Sequence, residues 1–319
     1  MADKRSQPKR HHVLPQFYLR AWADEEGRVA MLGRDGREVQ TGTKALAVEK
    51  DFYTVTGPDG EKDSAVEQAL ASWDAKGAAV HAAFLRGEFP PTDQQRIDFG
   101  LWLGLQWLRG RSSRETGREM FDKFQKMLIQ LGLEERPSRN SSDGARASPE
   151  SQQIIDGLEP GIEVPDLTGL PEDIKEILRD PDQYNFEPPR AMQLLQMLKA
   201  APRAAEPFIE AEWHLLRFDH PVLLTCDEPI TLAREPTPQN RFLGLGPANA
   251  DYLSIPLSPR VSLSTIRTKP LGREADVTLP LAHASSTIKR SSRLGGSSFF
   301  ATHKGCPFQR SFRRSPTSG

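Results

Sequence analysis

Cysteine is scarce in this chain: 319 residues hold two, Cys226 and Cys306, with no CxxC and no Cys/His spacing that suits structural zinc. The expectation is free thiols in a reducing cytoplasm. Long apolar runs are missing too. None approaches the roughly 18 residues of a membrane span, so no membrane partner is expected. The N-terminus is basic, but no apolar stretch follows it, so no signal peptide is read. Walker A, GxGxxG, GxSxG and HExxH patterns are all absent. Their absence argues against a P-loop NTPase, a dinucleotide enzyme, an α/β-hydrolase and a zincin. A formal net charge of -1 gives no global signal for nucleic acid.

What is present is ordinary in bulk, with 37% hydrophobic and 27% charged residues, and long enough for a large core. The charge is uneven. No acidic residue follows Asp276, while Lys289, Arg290, Arg293, Lys304, Arg310, Arg313 and Arg314 do, and Lys4, Arg5, Lys9 and Arg10 open the chain. These ends read either as two solvated tails or, brought to one side, as a basic face.

Residues 1–10 read as a disordered lead and 309–319 as a disordered tail, around one composite domain over 11–308. Pro15 suits the first turn of a short helix to about Ala23. Residues 28–32 and 38–40 flank Asp35-Gly36 as a hairpin, and 51–55 reads as a strand. Apolar spacing predicts a helix over 64–86. Thr92 with Gln95 forms a capping box that opens a helix to about Leu131, with Gly110 among the residues placed to break it. Residues 134–165 read as a mobile loop. Helical pieces follow at 171–179 and 189–201. Strands are expected at 213–218, 222–225, 230–232, 253–257, 261–266 and 298–302, with a helix over 281–293. Strands in two blocks around helices give an α+β class. The expected architecture is a helical block on a mixed or mostly antiparallel sheet of N-terminal and C-terminal strands.

Three places carry candidate chemistry. His11 and His12 are neighbours just before Pro15, so in extended chain they diverge and do not chelate one ion together. His12, next to the turn into the core, is the one expected to face inward. In the nearly all-apolar stretch Gly100–Arg109, Gln106 and Arg109 share a helix face, and Gly100 and Gly104 share another suited to close packing. A buried guanidinium needs an anion. Either a buried acid such as Asp227 supplies it, or a phosphate or carboxylate ligand does. Asp227, at the end of a strand, is a general base, a cation ligand, or a turn aspartate bonding nearby N–H groups. His81, His214, His220, His283 and His303 match no ligand motif.

His11-His12-x-x-Pro15-x-Phe17-Tyr18-Leu19-Arg20, Asp51-Phe52-Tyr53, Gln106-x-x-Arg109, Thr225-x-Asp227-x-Pro229 and Ile255-Pro256-Leu257-Ser258-Pro259 occur in that order. By these segments the chain resembles the domain of unknown function 4238 family, widespread in bacteria, over roughly residues 10–308 outside the 134–165 loop. The family usually has Phe at Trp22 and Ser at Cys226, while Asp227 matches. An Asn of its last helix has no counterpart placed in Leu281–Ser286. The resemblance groups polar positions and implies no reaction.

The reading is therefore a cleft holding His12 as general acid/base, Asp227 as its orienting partner or a metal ligand, and His11, Gln106 and Arg109 as substrate-binding groups. The expected activity is hydrolysis of an anionic phosphodiester or nucleotide, with a divalent metal as the one cofactor left open. The partner is an anionic small molecule or a nucleic acid. Two rivals stand beside it: a non-catalytic module in which the same residues form a buried polar network, and a nucleic-acid-binding protein using its basic ends.

Overall fold

A computed structural model describes residues 10–33, 36–50, 52–53, 55–56, 62–63, 65–134, 149–158, 161–240, 242–267, 275–279 and 299–302. The chain enters through β1 (Arg10–His12) and the short helix α1 (Gln16–Arg20), with Pro15 extended at its cap. β2 (Arg28–Gly33) and β3 (Glu38–Gly42) form the expected hairpin, and Gly36 supplies φ +77 in its connection. β4 (Val48–Lys50) then returns to pair with β1, His11 opposite Glu49.

The strand expected over 51–55 is not seen at residues 52–53, and residues 51 and 54 lie outside the described residues. Phe52 and Tyr53 make a turn, and only β5 (Val55–Thr56) follows, paired with β6 (Lys62–Asp63). The reason is burial. Phe52 and Tyr53 are 2% and 6% exposed within one apolar cluster, whereas a strand would send neighbours to opposite faces.

Helices come next: α2 (Ala65–Arg86), α3 (Asp93–Arg109) and α4 (Arg111–Leu133). The capping box is formed, with Gln95 N–H on Thr92 Oγ1 at 3.2 Å and Thr92 N–H on Gln95 Oε1 at 2.9 Å. The single helix expected to Leu131 breaks at Gly110, whose ψ of 145 is extended. α5 (Pro149–Asp156) lies inside the segment expected as a loop; a proline in its first turn and two glutamines suit a helix there. Residues 135–148 and 159–160 of that segment lie outside the described residues. α6 (Glu172–Arg179) and α7 (Arg190–Glu210) complete the helices; α7 runs well past Ala201, with Pro202 and Pro207 inside it.

β7 (Glu212–Phe218), β8 (Thr225–Cys226), β9 (Thr231–Ala233), β10 (Tyr252–Ser258), β11 (Val261–Ile266), β12 (Ala275–Leu279) and β13 (Phe299–Thr302) follow. The expected helix over 281–293, the expected tail over 309–319 and residues 1–9 of the expected lead lie outside the described residues, while Arg10, the last residue of that lead, is already in β1. The class is α+β, but the strands form separate sheets. A five-stranded sheet, β12-β7-β11-β10-β9, is antiparallel except for the β12–β7 pair. Among the described residues, the N-terminal and C-terminal strands meet only in an antiparallel four-stranded sheet, β3-β2-β13-β8.

The chain divides into two compact units, residues 1–113 with 194–319, and residues 114–193. In the first, Trp22, Trp102, Trp213, Phe84 and Phe99 are fully enclosed. Close approach is built in by glycine, as the sequence suggested. A Cβ on Gly104 would stand 2.6 Å from the backbone nitrogen of Ala205, and one on Gly100 would stand 2.4 Å from Ile209 Cγ1. Helices α3 and α7 therefore meet backbone to backbone, where dispersion contacts are densest. The second unit is tied by Asp122, which accepts from Phe186 N–H at 2.7 Å and pairs with Lys126 at 2.9 Å.

Candidate functional site

β1 delivers two histidines into different surroundings, as neighbours on a strand must be. The inward one is His11, not His12. His11 is 6% exposed; its Nδ1 accepts the Tyr53 N–H at 2.9 Å, and its ring lies 5.3 Å from the Tyr53 ring. Accepting at Nδ1 places the ring proton on Nε2. The reversal follows from pairing: β1 joins β4, and the following Phe52-Tyr53 turn folds over the His11 side. His12 is half-buried, with Nδ1 donating to the Leu46 carbonyl at 3.1 Å and Nε2 facing the Gln16 amide at 3.1 Å. Gln16 continues to Thr43, donating to its carbonyl and accepting from its hydroxyl.

Helix α3 supplies the next two groups. Gln106 is 2% exposed, and its Nε2 donates to the Val13 carbonyl at 3.1 Å. This bond stitches the chain just after the two histidines to the middle of the fold. Arg109, one turn on, is 0% exposed. Its partner is Asp74 of α2 and not the proposed Asp227: Nη1 and Nη2 donate to the two carboxylate oxygens at 2.8 and 3.1 Å. The guanidinium carbon also sits 5.6 Å from the Tyr53 ring centre. Burial opposes the charge, but Tyr53 and Asp74 outweigh it, so the proton is held more tightly than on an ordinary arginine. A two-pronged carboxylate contact is the geometry that makes a buried arginine tolerable.

The later motifs close on the same region. The Tyr18 hydroxyl lies 2.6 Å from Thr225 Oγ1 and donates to the Pro256 carbonyl at 2.7 Å. Burial pushes the Tyr18 phenol well above its ordinary pKa, with the Thr225 bond opposing only in part. His81 of α2 donates from Nε2 to the Leu257 carbonyl at 2.9 Å, and burial lowers its pKa to about 4 against that bond. Glu228, next to the candidate Asp227, accepts from the backbone N–H and hydroxyl of Ser112 at 2.6 and 2.7 Å. It therefore caps the start of α4 with a negative charge. Asp227 itself is half-buried.

Of the five residues expected to share a cleft, His11, Gln106 and Arg109 belong to one polar cluster, linked through Tyr53 and the Val13 carbonyl. His12 is bonded to Leu46 and Gln16. Asp74, Tyr53 and Glu228 were not foreseen as site residues. Asp74 had a legible signal: it is the carboxylate one helical turn past Leu70 on an apolar stretch of α2. Glu228 had one as well, as an acid beside a strand end. Among the described residues no group of three or more His, Cys, Asp or Glu is placed to hold a metal ion, and no helix is long and apolar enough to cross a membrane. The cluster pairs a fixed cation with a carboxylate and ties two backbone segments together.

The family model described as protein of unknown function (DUF4238) matches residues 10–278. No curated protein and no solved structure matches the chain.

Proposed function

The chain belongs to this family of unknown function, and we propose that the residues by which it is recognised form a structural clamp in a non-catalytic module. One observation carries the reading: each motif is bonded to another motif or to a helix. The first reaches Tyr53 through His11, Gln106 through Val13, and Thr225 and Pro256 through Tyr18. Arg109, the group expected to hold an anion, spends both terminal nitrogens on Asp74 at 0% exposure. A buried polar network that ties distant segments together can specify a fold without chemistry.

The competing reading is phosphodiester or nucleotide hydrolysis by His12 and Asp227, and one experiment separates the two. The purified full chain is titrated with inorganic phosphate and with nucleoside mono- and diphosphates, and its melting temperature is followed for wild type and Arg109→Met. The clamp reading expects no ligand-dependent rise in wild type and a lower ligand-free melting temperature in the variant. A concentration-dependent rise that Arg109→Met abolishes would instead support the hydrolase reading.

A further inference from the structure

Helix α6 belongs to the second unit, and none of its residues is buried. Its last turn is fixed: the Leu178 carbonyl accepts from Gln130 Nε2 at 2.7 Å and from the Tyr184 hydroxyl at 2.9 Å. What the helix presents outward is a mixed face. Ile174 and Ile177, three apart and so on one side, are 41% and 47% exposed. Asp173 and Glu176 run beside them as a parallel stripe, and no ion pair holds either among the described residues. The two cations of the helix do not offset this stripe. Lys175 and Arg179 both reach back to Glu172, at 3.8 and 2.6 Å. The excess extends past the helix: from residue 161 to residue 187 there are eight acidic residues, all exposed, against those two basic ones.

We propose that this face binds the basic segment 303–319 of a second copy of the chain. Charge selects the occupant. An acidic surface repels nucleic acid and repels its own twin, so two α6 faces do not pair with each other. The sequence itself holds the complement. No acidic residue follows Asp276, and Lys304, Arg310, Arg313 and Arg314 flank Phe308 and Phe312. That segment lies outside the described residues; at full extension it spans about 60 Å. Its cations match the Asp173–Glu176 stripe, and its two rings match the isoleucines. Each copy carries one acidic face and one basic segment, so two copies exchange segments reciprocally and the pair closes with two-fold symmetry. A second copy makes this match whatever the arrangement within one chain.

Sedimentation velocity of the full chain at low salt tests this. Wild type should form dimers that added salt dissociates. Replacing Ile174 and Ile177 together by serine should weaken the dimer roughly tenfold, with an unchanged melting temperature, because both side chains lie outside the core. Two charge reversals give the decisive comparison. Asp173→Lys with Glu176→Lys sets lysines of α6 against the arginines of the segment. Arg310→Glu with Arg313→Glu and Arg314→Glu sets glutamates of the segment against the acids of α6. Each variant alone should stay monomeric. Mixed in equal amounts they should form a heterodimer, since each segment then meets a face of opposite sign. A wild type that is monomeric at every concentration, a serine variant that dimerises as wild type does, or a mixture that stays monomeric would each overturn the proposal. A segment bound to α6 of its own chain gives the first of these results.

Discussion

Asp74 and Arg109 meet end to end, two carboxylate oxygens against two guanidinium nitrogens at 2.8 and 3.1 Å, with Arg109 enclosed and Asp74 retaining 27% exposure. The asymmetry matters. Removing the carboxylate leaves a buried cation, while removing the cation leaves an acid that water still reaches.

Asp74→Asn should therefore destabilise more than Arg109→Met, by about 3–5 kcal/mol against a smaller loss. The double variant should recover part of that cost, so the cycle shows clear coupling. Urea midpoints of the four proteins measure it. Additive losses would mean that the pair holds nothing together.

A second expectation concerns Gln106. Its amide is the only bond described to the Val13 carbonyl, ninety-three residues away in sequence. Gln106→Leu leaves that buried acceptor without its donor and should cost about 1–3 kcal/mol. The loss should be local first: amide exchange in residues 13–22 should quicken before that of α3. Uniform acceleration across the chain would point to general loosening instead.

These two pairs also show how far the sequence could be read. The capping box at Thr92, the break at Gly110, the hairpin around Gly36 and the close-packing glycines were legible, because each depends on local backbone chemistry. The α+β class followed from the order of elements. Which histidine turned inward was not legible. It depends on the β1–β4 register and on a turn forty residues later, and adjacent positions in a strand offer equal local arguments. Nor was the partner of Arg109: spacing shows that an arginine is buried, whereas its carboxylate is chosen by how α2 lies on α3. The β12 strand was not legible because its neighbour in the sheet, β7, lies far earlier in the chain, with β8 to β11 between them, and such a parallel pairing leaves no short-range mark.

His81 gives a pH expectation. Burial lowers its pKa to about 4, below the ordinary histidine value of about 6.5 in an unfolded chain. The unfolded state therefore takes up the proton first. Stability from the neutral ring is complete above about pH 6.5 and is lost as pH falls towards 4, on the order of 3 kcal/mol over the window. His81→Gln keeps an amide donor near the Leu257 carbonyl and removes the titration. Denaturation midpoints from pH 7 to 4 should fall more steeply for wild type than for the variant, and parallel curves would assign the acid sensitivity elsewhere.

Glycine substitutions test the helix contact without touching a polar group. A methyl on Gly104 would meet the backbone of Ala205 at 2.6 Å and the carbonyl of Ala201 at 2.9 Å, and backbone cannot swing aside. One on Gly100 would meet the Ile209 side chain at 2.4 Å, which has some freedom to turn. One on Gly117 of α4 would meet nothing within 4 Å. Alanine removes the entropic cost of glycine in a helix, worth up to about 1 kcal/mol, at all three positions. Overpacking opposes it by about 1–3 kcal/mol where space is lacking. Gly117→Ala should therefore raise the melting temperature, Gly100→Ala should lower it modestly, and Gly104→Ala should lower it most. An order with Gly104→Ala at or above wild type would mean that α3 and α7 do not touch through this glycine.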